Sequence, residues 1–316
     1  MAAKLDDYVI QRRLAPALFG DVLLCQHKLD WQPCRQRALY HQLNRVGGHS
    51  NVLKLREEIE FDGYLYLVSD FCTRGELYEL VSSATDGKLK SSVTQKYMRQ
   101  IASGVQFLHH NGFAHRDLSL ENVLVTDDDQ CQVCDFGLAT STAKFSQETV
   151  GKLFYMAPEV LAGVQYNATK ADVWSLGVML FIMLIGAPPV ETASSLDARF
   201  RLIMNKGVRK LIDRWGLTDD LPVAAIDLLS DMLEVDPEQR ISMGESRSRS
   251  LQSRTRLVPS TSTRPESDGV ERSGCRLLFH KIHRFFSRRH NKRVMAVNHD
   301  SGSSKRAYTK RLARGA

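Results

Sequence analysis

Three short clusters hold side chains whose types and spacing suit chemistry. The segment His115-Arg116-Asp117-Leu118-Ser119-Leu120-Glu121-Asn122 sets a carboxylate five residues ahead of a carboxamide. Asp135-Phe136-Gly137 starts eighteen residues after Asp117, and Ala157-Pro158-Glu159 follows. Carboxylates can take protons, and carboxylate and carboxamide oxygens are suited to ligating hard cations. Five fixed residues match a given position by chance about once in three million trials, and three ordered clusters exclude coincidence.

In order and spacing these clusters are similar to the protein-kinase set H-R-D-L-x-x-x-N, D-F-G and A-P-E. The chain therefore resembles the eukaryotic protein-kinase family over residues 8–243, closest in look to Ser/Thr kinases of the calmodulin-dependent and AMP-activated type. Asp172-Val173-Trp174-Ser175-Leu176-Gly177 resembles the buried helix whose Asp holds the catalytic loop. Asp236-Pro237-Glu238-Gln239-Arg240 resembles the segment whose Arg pairs with the Glu of A-P-E.

The resemblance implies ATP and Mg²⁺ as cofactors and a protein hydroxyl as acceptor. Asp117 would orient and deprotonate that hydroxyl, and Asn122 and Asp135 would hold Mg²⁺ through oxygen. Arg116 would neutralise a negative group on the activation segment, where Glu148 stands in place of a phosphorylated Thr. His115 and Phe136 would pack in the column of side chains that joins the lobes. Val22 keeps its place in the nucleotide loop, and Leu124 would lie beneath the adenine. Asp70 and Cys72 would offer hinge backbone groups, Glu76 would face the ribose, and Ser69 aligns with the gatekeeper.

The departures from the family pattern are as specific as the matches. The loop G-x-G-x-x-G-x-V aligns with Ala15-Pro16-Ala17-Leu18-Phe19-Gly20-Asp21-Val22, so only Gly20 and Val22 survive. Alanine methyls and a proline without an N–H weaken backbone contact with phosphate. The strand-borne Lys has no counterpart between Val22 and the next helix, and its helical Glu partner falls at Leu39. Ser119 replaces the Lys two residues after the catalytic Asp. Lys152 replaces a Thr after Gly151 and is expected to restore part of the lost positive charge. These losses imply impaired transfer; the alternative is a pseudokinase acting as a binding or scaffold module.

The elements that must position these residues read as α+β, a small strand-rich lobe (8–70) before a larger helical one (73–243). Tyr8–Leu24, Val52–Leu55 and Tyr64–Phe71 are strand-like. Ala38–Val46 predicts a short helix stopped by Gly47-Gly48. Met98, Ile101, Val105 and Leu108 share one helical face within 94–110. Short strands are expected at Asn122–Val125 and Gln130–Cys134, and helices at Ala171–Ile185 and Val223–Leu233. Cys131-Gln132-Val133-Cys134 has no second pair at zinc spacing and reads as strand rather than metal or redox site.

The formal net charge of +7 is unevenly placed. Residues 1–240 carry 25 basic and 31 acidic side chains, whereas 241–316 carry 18 and 5. An acidic body argues against specific nucleic-acid binding. The Ser/Thr/Arg-rich tail 244–316 reads as mostly disordered. Within it, 276–294 is basic and amphipathic, a pattern suited to calmodulin or an acidic membrane surface. Scattered cysteines and the absence of a signal-like leader point to a cytoplasmic or nuclear location, and a monomer is expected, although the sequence gives no signal for oligomeric state.

Overall fold

The computed structural model describes residues 8–17, 20–27, 36–61, 64–243, 297–299 and 305–313. In chain order its elements are β1 (Tyr8–Ala17), β2 (Gly20–His27), α1 (Gln36–Arg45), β3 (Leu55–Phe61), β4 (Tyr64–Asp70), α2 (Leu77–Ser82), α3 (Ser91–His110), β5 (Phe113–Ala114), β6 (Val123–Val125), β7 (Cys131–Val133), β8 (Thr140–Ser141), α4 (Pro158–Leu161), α5 (Ala168–Ile185), α6 (Ala198–Arg214), α7 (Val223–Met232), β9 (Val297–His299) and β10 (Lys305–Ala313). They divide into two units, one of residues 1–75, 124–132 and 283–316, the other of 76–123 and 133–282.

The first unit is built on a six-stranded sheet in the order β1-β2-β9-β10-β4-β3. The hairpins β1–β2 and β3–β4 are antiparallel, and β10 pairs with both β2 and β4. Helix α1 buries Leu39, Tyr40 and Leu43, and Gly47 and Gly48 with positive φ end it as expected. One expectation needs correction: the strand anticipated at Val52–Leu55 begins only at Leu55 and runs to Phe61. Its charged sequence, Arg56-Glu57-Glu58-Ile59-Glu60, hides the apolar alternation, yet Glu58 is fully buried with His41 Nε2 3.6 Å from its Oε2. The tail also holds β9 and β10, which composition did not anticipate. The motifs of 244–296, including 276–294, lie outside the described residues.

The second unit is helical because α5 is apolar on every side and must be covered. Helices α3 and α7 pack against it, and α6 packs on α7. The helix is long and apolar enough to cross a membrane, but 78% of it is buried inside the protein, the mark of a core helix. Asn167 caps it by accepting from the Thr169 N–H at 3.0 Å, and Gly186 closes it at φ +87°.

A buried ion pair ties together two segments of this unit that are 81 residues apart in sequence. Arg240, fully buried, donates from Nη1 and Nη2 to Glu159 Oε1 and Oε2 at 2.6 and 3.0 Å. Its remaining N–H groups reach the carbonyls of Glu234, Lys170 and Val235, and its guanidinium lies 5.2 Å from the Trp174 ring centre. All its donors are met, so removing one partner strands the other charge. Arg240→Ala is expected to lower unfolding free energy by about 3–5 kcal/mol, read from urea denaturation, whereas a change under about 1 kcal/mol would contradict this account.

Candidate active site

The site begins with a carboxylate that touches no substrate. Asp172, 1% exposed on α5, accepts the backbone N–H groups of His115 and Arg116, each at 2.8 Å. These two bonds hold the loop after β5 where Arg116 is bent into the left-handed region, φ +63°. Such a conformation costs about 1–3 kcal/mol outside glycine and needs compensation of this kind. His109 Nε2 lies 2.8 Å from the same carboxylate, so this residue, given no role on sequence grounds, supports the loop from α3.

The loop then brings Asp117 and Asn122 together. Asn122 Nδ2 donates to the Asp117 carbonyl at 2.7 Å and to its Oδ2 at 2.8 Å. This leaves Asp117 Oδ1, buried and without a hydrogen-bond partner among the described residues. A buried carboxylate oxygen left this way costs about 1–3 kcal/mol and is satisfied by an incoming hydroxyl. Asn122, its amide nitrogen engaged, keeps Oδ1 for a cation. The Asp135 Oδ1 accepts from the Gly137 N–H at 3.2 Å, and its backbone also lies at positive φ, +61°. Phe136 meets His115 edge-on at 5.4 Å, and His115 Nε2 lies 3.0 Å from the Cys134 carbonyl oxygen. The oxygen donor set suits Mg²⁺, and the orphaned Oδ1 suits an acceptor hydroxyl.

The activation segment closes on this loop at Gly151. A Cβ there would stand 2.7 Å from the Arg116 carbonyl oxygen, and φ is +104°, so only glycine fits. The next residue, Lys152, donates from Nζ to Ser119 Oγ at 2.7 Å and lies 3.5 Å from Asp117 Oδ2. The sequence-based expectation that Lys152 offsets the missing Lys at 119 acquires a geometry here. Tyr155 donates to Glu121 Oε2 at 3.2 Å, and burial, with Glu121 beside it, pushes its phenol well above the usual range. Neither Gly151 nor Tyr155 stood out in the sequence, where only the family spacing marks Gly151.

Arg116 meets the negative group expected of it. It donates from Nη1 to Glu148 Oε2 at 2.6 Å and from Nε to the Leu138 carbonyl at 2.8 Å. Tyr166 adds a bond from its hydroxyl to the Glu148 carbonyl at 2.9 Å. Because Glu148 is 70% exposed, solvent screens this pair and its worth is under about 1 kcal/mol. Glu148→Ala is therefore expected to leave global stability within about 1 kcal/mol while speeding tryptic cleavage at Lys144 severalfold, read by time-resolved mass spectrometry. Unchanged cleavage would mean the pair does not order the segment.

The residues that the family resemblance assigns to the nucleotide fall in both units. In the first, Asp70 ends β4 and its carboxylate accepts from Arg56 Nε and Nη2, the latter at 2.6 Å. Cys72 is buried, with its Sγ 3.4 Å from Gln132 Oε1, and Leu124 is buried in β6. Val22 lies in β2, paired with Ala15 across a ladder that runs on to Ala17↔Gly20. Leu39, where the family's helical Glu would stand, is buried in α1, a helix without any acidic residue. In the second unit Glu76 stands at the N-cap of α2 without making a side-chain cap bond. Cys131 and Cys134 are buried and not disulfide-bonded, and the described residues include no cluster able to hold a metal through His, Cys, Asp and Glu. Burial first, then the carboxylates of Asp70 and Asp127, push the Cys72 thiol up to about 12. Cys72 is expected to resist iodoacetamide at pH 8 in the folded chain and react after denaturation, scored by peptide mass; rapid native alkylation would contradict its burial.

Comparison with known proteins agrees with this arrangement. A family model described as protein kinase domain matches residues 30–251. A probable serine/threonine-protein kinase of Dictyostelium discoideum is 34% identical over 218 residues, 68% of this chain and 25% of its own length. The serine/threonine-protein kinases SRK2I and SRK2F of Arabidopsis thaliana are 33% and 35% identical over 209 and 203 residues, 64% and 62% of this chain. The chain spans 56% of the length of each Arabidopsis protein. Family match and catalytic loop together lead to one conclusion: this chain belongs to the protein kinase family.

Proposed function

We propose that this chain is a serine/threonine kinase that transfers the γ-phosphate of MgATP to a protein hydroxyl, at a reduced rate. The observation that carries this reading is the buried, unpartnered Asp117 Oδ1, fixed by Asn122 through the neighbouring oxygen. MgATP supplies the phosphoryl group and the cation that neutralises its charge. Asp117 Oδ1 accepts the proton of the substrate hydroxyl as that oxygen bonds to the γ-phosphorus; the bond to the β–γ bridging oxygen breaks, and ADP leaves. Asn122 and Asp135 hold the cation through oxygen. Lys152 places an ammonium 3.5 Å from Asp117 Oδ2, where it offsets negative charge carried by the phosphoryl oxygens. That ammonium comes from the activation segment rather than the catalytic loop. Its delivery therefore depends on the Gly151 contact and on the Arg116–Glu148 pair.

The reduced rate rests on the alanines and proline of the first hairpin and on Leu39. The same residues favour the second reading, a pseudokinase that serves as a binding module. A protein substrate, a monomeric state, a cytoplasmic or nuclear location, and calmodulin or membrane contact through 276–294 belong to the same proposal. Incubating the full chain with labelled ATP, Mg²⁺ and a basic protein substrate tests the enzymatic claim. Asp117→Asn and Asp135→Ala are each expected to lower transfer by about 10²–10⁴-fold, and Lys152→Ala by about tenfold or more. Equal transfer by wild type and both acid variants would overturn the kinase reading in favour of the binding module.

A further inference from the structure

A second set of polar groups converges within the second unit, where the chain enters α3. The segment Lys88-Leu89-Lys90 leads into that helix and is held against α5, the Leu89 N–H donating to the Met183 carbonyl at 2.8 Å. Nearby, Gly186 ends α5 where a Cβ would stand 2.8 Å from the Asp86 carbonyl oxygen, so only glycine lets the two segments approach. Between them and the loop that leads to α7 lies a cavity of about 180 Å³. Leu184, Leu217 and Leu221, all buried, give it an apolar wall. Lys88, Lys90, Ser91 and Asp220 give it a polar one.

The polar wall carries a surplus of positive charge. Two ammoniums stand against one carboxylate, and Lys88 and Lys90 enter no ion pair among the described residues. Helix α3 adds to this surplus. Lys90, at its N-cap, makes no side-chain cap bond, and the first turn holds no acidic residue. The leading N–H groups of this 20-residue helix are therefore uncapped at the positive end of its dipole. One turn on, Thr94 is 1% exposed and its hydroxyl has no hydrogen-bond partner among the described residues. Thr94 lines a hollow of about 20 Å³, space for about one water-sized atom, walled by Met98, Leu180 and Leu228. Ser91 and Leu184 line both spaces, so the hollow adjoins the cavity. A buried hydroxyl without a partner is costly and calls for a polar atom beside it.

We propose that this cavity binds a small organic carboxylate with an apolar body and a second polar group, the size of a single-ring hydroxyaryl acid. Its carboxylate meets Lys88, Lys90 and the N-terminus of α3, where charge-assisted hydrogen bonds are strongest. Its ring lies against Leu184, Leu217 and Leu221, and its far oxygen shares a hydrogen bond with the Thr94 hydroxyl. Lys90 and Thr94 are separated by about 6 Å of helix, the span of one such ring with its substituents. The volume sets the size, because drug-sized ligands need about 300–1,000 Å³. All of these residues belong to the second unit and none to the catalytic machinery, so the site stands apart from the kinase reading.

Titration of the full chain, followed by NMR line broadening of the ligand, tests it with para-hydroxyphenylacetate as the probe. Phenylacetate, which lacks the far oxygen, is expected to bind about threefold or more weakly. Tyramine, with an ammonium in place of the carboxylate, is expected not to bind. Lys88→Gln combined with Lys90→Gln is expected to weaken the probe about tenfold or more, while Lys206→Gln on α6 binds as wild type. Thr94→Val keeps the side chain's shape and is expected to bring the probe down to the affinity of phenylacetate. No binding of the probe, or binding unmoved by the lysine pair, would overturn the site. Equal binding of probe and phenylacetate to the wild type would remove Thr94 from the proposal and leave the carboxylate site. Displacement of the probe by MgATP would assign it to the nucleotide residues and overturn the site.

Discussion

The carboxylate of Asp172 is the constraint on which the catalytic unit turns. It is buried on a helix that is apolar all round, where an ionised group is tolerated only with its hydrogen bonds made. The N–H groups of His115 and Arg116 make them, with the His109 ring beside them. In return the loop is held in a left-handed bend at Arg116 that the chain would otherwise avoid. That bend presents Arg116 to Glu148 and exposes its carbonyl to the close approach of Gly151. The catalytic loop and the activation segment are thus two consequences of one buried anion.

The polar contacts around Asp117 form a short relay from this anchor. Asn122 fixes one carboxylate oxygen and leaves the other buried and open, so the orientation of Asp117 is set by the fold itself. Lys152 and Ser119 supply an ammonium and a hydroxyl from opposite segments of the site. An ammonium on the catalytic loop would be held by the Asp172 anchor. On the activation segment its position depends on a glycine contact and a screened surface pair. In the proposed reaction the position of that ammonium would follow the order of the segment.

Much of this was legible in residue patterns because the catalytic loop is local. His115 through Asn122 act within eight residues, and their spacing alone marks them. The pairing of Glu159 with Arg240 and the anchoring role of Asp172 followed from family spacing, and the structure contains both. Less local features were not legible. The charged run in β3 masks a strand that buries Glu58 completely, because a partner from α1 lies beside it. His109 reads as the polar end of a helix until α5 is packed against α3. Tyr155 reads as an ordinary aromatic until burial and Glu121 surround its hydroxyl.

By itself the sequence determined the catalytic clusters, the apolar helices that carry them, the acidic body with its basic tail, and the defects of the nucleotide loop. Each is set within one or two turns of chain, or by composition, where local sterics and periodicity decide. Only the tertiary structure decided that Lys152 would meet Ser119 across 33 residues, and that β10 would enter the sheet between β2 and β4. Those pairings join segments far apart in the chain. An unpaired strand edge has no sequence signature naming its partner, so satisfying it is settled only when the whole chain is folded.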